Sequence, residues 1–127
     1  MNAQLSEHFW SSEFKCQCNR WNCDALQLPD PQLVNLLGDL RNRVNRPIII
    51  TSGIRCVYWN ELKGGVRESA HVEAKAVDIA AYTSGEKYDL LKSLYKETIL
   101  FTRLGIGATF IHVDVSNMLA QYVCWTY

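Results

Sequence analysis

In Phe110-Ile111-His112-Val113-Asp114-Val115, polar residues recur at every second position within an apolar run. Successive side chains of a strand point to opposite faces, so His112 and Asp114 project together from one face. An imidazole and a carboxylate among Phe, Ile and Val call for a partner or a ligand, because burying them unpaired is costly. A second apolar run at 76–81, AVDIAA, also reads as a strand and carries Asp78. His71 falls in the loop that precedes it. Any fold of this chain must therefore include a sheet with ionisable groups on it.

The remaining elements surround that sheet. Asp30 is placed to cap a helix opened by Pro31, in which Leu33, Leu36, Leu37, Leu40 and Val44 recur at helical spacing until Pro47 ends it. Pro47-Ile48-Ile49-Ile50-Thr51 reads as a short buried strand, 57–62 as a short helix, and Gly64-Gly65 as a turn. Ser84 is expected to cap a second long helix, with Tyr88, Leu91, Leu94, Tyr95 and Thr98 on one face. Residues 105–115 and 122–125 read as two final strands. Helices and strands do not alternate as βαβ units, which predicts an α+β domain with a mainly antiparallel sheet packed with helices. With 127 residues and no linker or repeat, residues 1–127 read as a single domain.

Composition excludes several classes of function. Thirteen basic and thirteen acidic side chains cancel, and no basic run is present, so no nucleic-acid partner is expected. No segment approaches the roughly 18 apolar residues of a membrane span, so no membrane insertion is expected. The opening MNAQLSEHFWSSEF has neither the basic nor the apolar stretch of a secretory signal. Five cysteines are many for such a chain: Cys16, Cys18, Cys23 and Cys56 in the first half, and Cys124 near the end. Their C-x-C-x4-C spacing is not a standard zinc-knuckle pattern, and the odd total leaves at least one thiol unpaired. Free thiols, a disulfide formed in an oxidising space and a structural metal site all remain open.

His71, Asp78 and His112 form a set of two imidazoles and one carboxylate, which suits zinc and leaves a fourth position for water. A zinc ion there would polarise a scissile carbonyl and acidify its water. Spacing alone leaves hydrogen-bonded structural histidines as the other reading.

The stretch ITSGIRCVYWNELKGGVRESAHVEAKAVDI, followed by RLGIGATFIHVDV, resembles the zinc peptidases that cut bacterial cell-wall peptides. That family comprises D-Ala-D-Ala carboxypeptidases and the L-alanyl-D-glutamate endopeptidases of phage endolysins, and it shares the hedgehog/DD-peptidase fold. Thr51, Ser52, Gly53, Arg55, Cys56, Asn60, Gly64, Gly65, Ser69, His71, Ala76, Asp78, Phe110, His112 and Asp114 match its pattern in order. The resemblance implies a Zn2+ cofactor held by His71, Asp78 and His112. It implies that Arg55 stabilises the tetrahedral intermediate or holds a substrate carboxylate, and that Ser69 contacts substrate. The implied partner is the peptide stem of peptidoglycan, and a monomer is expected. An endolysin-like enzyme without a leader is expected in the host cytoplasm before release, and at the cell wall or periplasm afterwards.

Two departures from the pattern stand out. Ala74 replaces the family's glycine three residues after the first histidine, so a left-handed backbone there would be strained. Thr109 stands where several branches carry an acid, which moves the expected general base to Asp114, with Glu73 in reserve. Asp114 has rival roles in orienting His112 or in binding a substrate ammonium group. The alternative function is a zinc-binding domain without catalysis, serving structure or adhesion in a virion or cell envelope. A third reading keeps the enzyme and makes its substrate a free D-Ala-D-Ala dipeptide.

Overall fold

The computed structural model describes residues 2–66 and 68–127. Its first long helix, Pro31–Val44 (α1), begins as the capping signal predicts, with the Asp30 carboxylate accepting from the Gln32 amide at 2.8 Å. It ends two residues before Pro47, where Asn45 turns left-handed at φ 54° and its amide closes on the Arg41 carbonyl. Val57–Leu62 (α2) follows with Cys56 at its N-cap. The third helix, Ser84–Tyr95 (α3), is capped by Thr83 rather than by Ser84, because Thr83 Oγ1 accepts from the Glu86 amide at 3.1 Å. Its buried face is Leu90, Ser93 and Leu94. Tyr88 and Tyr95 face solvent, and Thr98 lies beyond the helix end, which corrects the expected face.

Five strands form one mixed sheet: Ile50–Ser52 (β1), Ala76–Ala80 (β2), Arg103–Ile106 (β3), Phe110–Asp114 (β4) and Val123–Thr126 (β5). Their spatial order is β1-β2-β4-β3-β5, antiparallel throughout except for the parallel β3–β5 pair. The single strand expected over 105–115 is instead a hairpin. A side chain at Gly107 would collide with the Phe110 ring, and the Gly107 amide bonds the Phe110 carbonyl at 2.9 Å, so the chain turns there.

Alternation then divides the sheet into two faces. Val77, Ile79, Leu104, Ile111 and Val113 join Leu33, Leu37, Leu40, Leu90 and Leu94 in one apolar core, so both long helices cover that face. Asp78, His112 and Asp114 necessarily point the other way. The N-terminal segment packs against β1 through Gly53. A Cβ on Gly53 would sit 2.7 Å from the Phe14 carbonyl oxygen, and the Ile54 amide donates to that oxygen at 2.8 Å. Gly53→Ala is accordingly expected to lower stability by about 1–3 kcal/mol, read from the denaturation midpoint, since a backbone neighbour cannot swing away as a side-chain tip could.

Candidate metal centre

One transverse row of the sheet carries the site. Ser52 pairs with Asp78, Asp78 with His112, His112 with Gly105, and Gly105 with Trp125, across all five strands. Asp78 and His112 are thus direct cross-strand neighbours, with Asp78 Oδ1 3.0 Å from His112 Nδ1. His71 comes from the turn before β2. Its amide donates to Ser69 Oγ at 3.1 Å, and its carbonyl accepts from the Arg55 amide at 3.1 Å. Ala74 closes this turn at φ 60°, the left-handed conformation that its Cβ makes costly by about 1–2 kcal/mol. The turn directs His71 Nε2 to within 3.3 Å of the same Asp78 oxygen.

The hydrogen bonds decide which ring nitrogens hold lone pairs. His71 Nδ1 lies 2.7 Å from the Gly53 carbonyl oxygen, which can only accept, so Nδ1 carries the proton and Nε2 the lone pair. Both His112 nitrogens face carboxylates, Nε2 at 2.7 Å from Asp114 Oδ2 and Nδ1 at 3.0 Å from Asp78 Oδ1, and the shorter Asp114 contact favours the neutral tautomer with its proton on Nε2 and its lone pair on Nδ1. With the ring protons on those outer nitrogens, two imidazole lone pairs and a carboxylate oxygen converge on one point, where a cation can take the place of the protons that His71 and His112 otherwise share with Asp78. All three residues are buried, and their donor atoms lie within 4.8 Å of one another. Donors about 2.1 Å from a tetrahedral zinc stand about 3.4 Å apart, close to the 3.0 and 3.3 Å found here. The donor set fits zinc in both chemistry and spacing.

The electrostatics agree with a cation site. Burial by itself would raise the Asp78 carboxyl, but hydrogen bonding and charge from His112 and His71 outweigh it and hold the group well below the usual carboxylate range. Burial pulls His112 down, and the carboxylates of Asp114 and Asp78 overcome it, so the imidazole holds a proton more firmly than a free one. Asp78 Oδ2 faces Arg55 Nη2 at 3.4 Å. Ser52 Oγ receives Arg55 Nε at 3.1 Å, and Asn60 Oδ1 receives Nη1 at 3.3 Å. Asn60 is held in turn by the Val66 carbonyl at 2.7 Å, and Gly65 passes so close that a side chain there would strike the Asn60 amide. The matched asparagine and glycine pair thus serve to aim Arg55.

Arg55, Ser69, His71, Asp78, His112 and Asp114 all border one cleft of about 780 Å³. The two carboxylates expected as bases fare differently. Asp114 is fully buried: Oδ2 takes His112 Nε2, while Oδ1 takes Arg103 Nε at 2.8 Å and the Ser116 amide at 3.1 Å. Glu73 accepts from Ser116 Oγ at 3.1 Å and borders a separate apolar groove beside Pro29 and Pro31. Thr109 is exposed in the β3–β4 turn.

Three contributors were not among the residues expected at the metal centre, although Trp125 has the chemistry to stack on a sugar. Arg103 pairs with Asp114 across the hairpin, which becomes visible only once Gly107 is known to turn the chain. Trp125 brings its ring to 5.4 Å from the His112 ring, and Gly105 leaves the space, since a Cβ there would lie 2.7 Å from Trp125 Nε1. Tyr127 borders the cleft next to it.

The family model described as Peptidase M15 matches residues 7–114, which span every element from the 3-10 turn Ser11–Phe14 to β4. No curated protein matches the chain.

Proposed function

Because the chain belongs to the peptidase M15 family, we propose that it is a zinc-dependent peptidase that hydrolyses peptide-stem bonds of bacterial peptidoglycan. The observation that carries this reading is the meeting of three metal-ligating side chains, His71, Asp78 and His112, beside an arginine in an open cleft. Zinc, when bound, supplies Lewis acidity toward a peptide carbonyl and lowers the pKa of water to about 7. Arg55 binds the carbonyl oxygen or a terminal carboxylate through its planar fork. The hydroxyl of Ser69, at the mouth of the His71 turn, contacts the substrate backbone. Trp125 and Tyr127 wall the cleft on the β5 side and limit water there.

We assign Asp114 to positioning rather than to proton transfer, since both of its oxygens are bonded and one holds the His112 tautomer. Asp114→Asn is expected to weaken zinc binding about 10–100-fold, with turnover largely recovered in excess zinc. A general base would behave differently: zinc affinity unchanged and turnover down about 10²-fold or more. Glu73→Gln is expected to change neither quantity.

The proposed enzyme works on the wall, in the manner of a phage lysis enzyme, as a monomer. Turbidity of outer-membrane-permeabilised cells should fall on its addition, stop falling with a chelator, and resume with zinc. Mass spectrometry of products from purified peptidoglycan then names the bond, L-Ala-D-Glu or D-Ala-D-Ala. One observation favours a second reading, a zinc-binding domain without catalysis. Among the described residues bordering the cleft, the only carboxylates are the candidate ligand Asp78 and the fully bonded Asp114. Zinc-loaded protein that neither clears cells nor releases peptides would establish that reading.

A further inference from the structure

Cys16, Cys18, Cys23 and Cys56 bring their sulfurs within 4.8 Å of one another, away from the His71–Asp78–His112 cleft. All five cysteines are free thiols, and the fifth, Cys124, is exposed on β5 outside the group. The odd cysteine count therefore resolves into a cluster of four plus one bystander. We propose that these four thiolates bind a structural zinc ion, separate from the metal centre in the cleft.

Geometry supports this first. Four sulfurs about 2.3 Å from a tetrahedral zinc stand about 3.8 Å apart, inside the separation found. Backbone amides already point at three of the sulfurs. The Cys56 amide donates to Cys16 Sγ at 3.3 Å, the Trp59 amide to Cys56 Sγ at 3.4 Å, and the Arg20 amide to Cys18 Sγ at 3.4 Å. Amide donors of this kind stabilise thiolates, the form that binds metal. Four thiolates close the coordination shell and leave no position for water, as in structural rather than catalytic zinc sites.

The fold also has a use for such a clip. Between Phe14 and α1 the chain runs through 15–30 without a helix or strand, longer than a loop normally stays ordered unaided. Three of the cysteines lie on that run and the fourth caps α2, so the metal would tie the run to the sheet side of the molecule. Arg20, between the second and third cysteines, lies 3.9 Å over the Tyr58 ring of α2 and follows the same path. The run leads directly from Phe14, whose carbonyl anchors Ile54 beside Gly53, the acceptor for His71. Zinc binding would thus add folding free energy where the cleft is anchored.

Elemental analysis of zinc-reconstituted full-length protein is expected to find two equivalents per chain. Cys16→Ser/Cys18→Ser should lower this to one, and His71→Ala/His112→Ala should independently lower it to one. Should the cysteine variant fail to fold, cobalt-substituted wild-type protein gives the second test. It should show the near-ultraviolet thiolate-to-cobalt absorption, retain it in the double histidine variant, and lose it to a mercurial thiol reagent. One equivalent in the wild type that vanishes with the histidines, cobalt protein without thiolate absorption, or the mass deficit of two disulfides would each overturn the proposal. None of these outcomes depends on whether the cleft hydrolyses peptides.

Discussion

Asp78→Asn or His71→Ala protein is expected to lose zinc from the cleft and to fall by about 10³-fold or more in turnover on peptidoglycan. A bound zinc contributes several kcal/mol at the reacting carbonyl, and each 1.4 kcal/mol is a factor of ten in rate. Asp78→Asn is the sharper variant. The amide keeps the size of the carboxylate, but it removes the negative charge that both histidines and Arg55 face at 3.0–3.4 Å. His71→Ala removes a donor whose backbone stays tied to Ser69 and Arg55. Circular dichroism should match the wild type in both, with elemental analysis reporting the lost equivalent. An Asp78→Asn enzyme that retained zinc and full turnover would remove this residue from the centre.

Arg55→Lys is expected to lower turnover by about 10²–10³-fold while zinc content remains, the scale of losing one donor to a developing oxyanion. In the wild type the three guanidinium nitrogens each have their own partner, Ser52, Asn60 and Asp78. An ammonium keeps the charge yet cannot serve three partners in that fork geometry. Because Arg55 also touches Asp78, the zinc dissociation constant must be measured beside the rate. A drop in rate with unchanged affinity assigns Arg55 to the substrate. Weakened affinity with an unchanged rate at saturating zinc would reduce it to a support for Asp78.

Much of the site was legible because its chemistry is written in short, ordered segments. The run Ser69-Ala70-His71, the strand with Asp78, and the two-residue spacing of His112 and Asp114 each specify a local geometry. The helix start at Asp30-Pro31 was legible for the same reason: a cap and a fixed φ act within one turn. Reading failed where two local signals competed. Thr83 and Ser84 are both good caps, and only the Glu86 amide, bonded to Thr83 Oγ1, decides between them. Around Gly107 an apolar run continuous in sequence conceals a turn, so one expected strand became two.

Sequence by itself singled out His71, Asp78 and His112 and the alternation that puts His112 and Asp114 on one face of β4. These follow from backbone periodicity and residue chemistry, which act over a few positions, while membership of the peptidase family rests on the ordered match over residues 7–114. Tertiary structure alone decided what each group is free to do. Only the β3–β4 register gives Asp114 to Arg103, and with it settles that both carboxylate oxygens are bonded. The parallel β3–β5 pairing likewise lays Trp125 beside His112, with Gly105 as the gap. Cys16 and Cys56 meet across forty positions, through the passage of Phe14 over Gly53. Such contacts depend on how distant segments bury their apolar faces together, and no local pattern encodes the register that results.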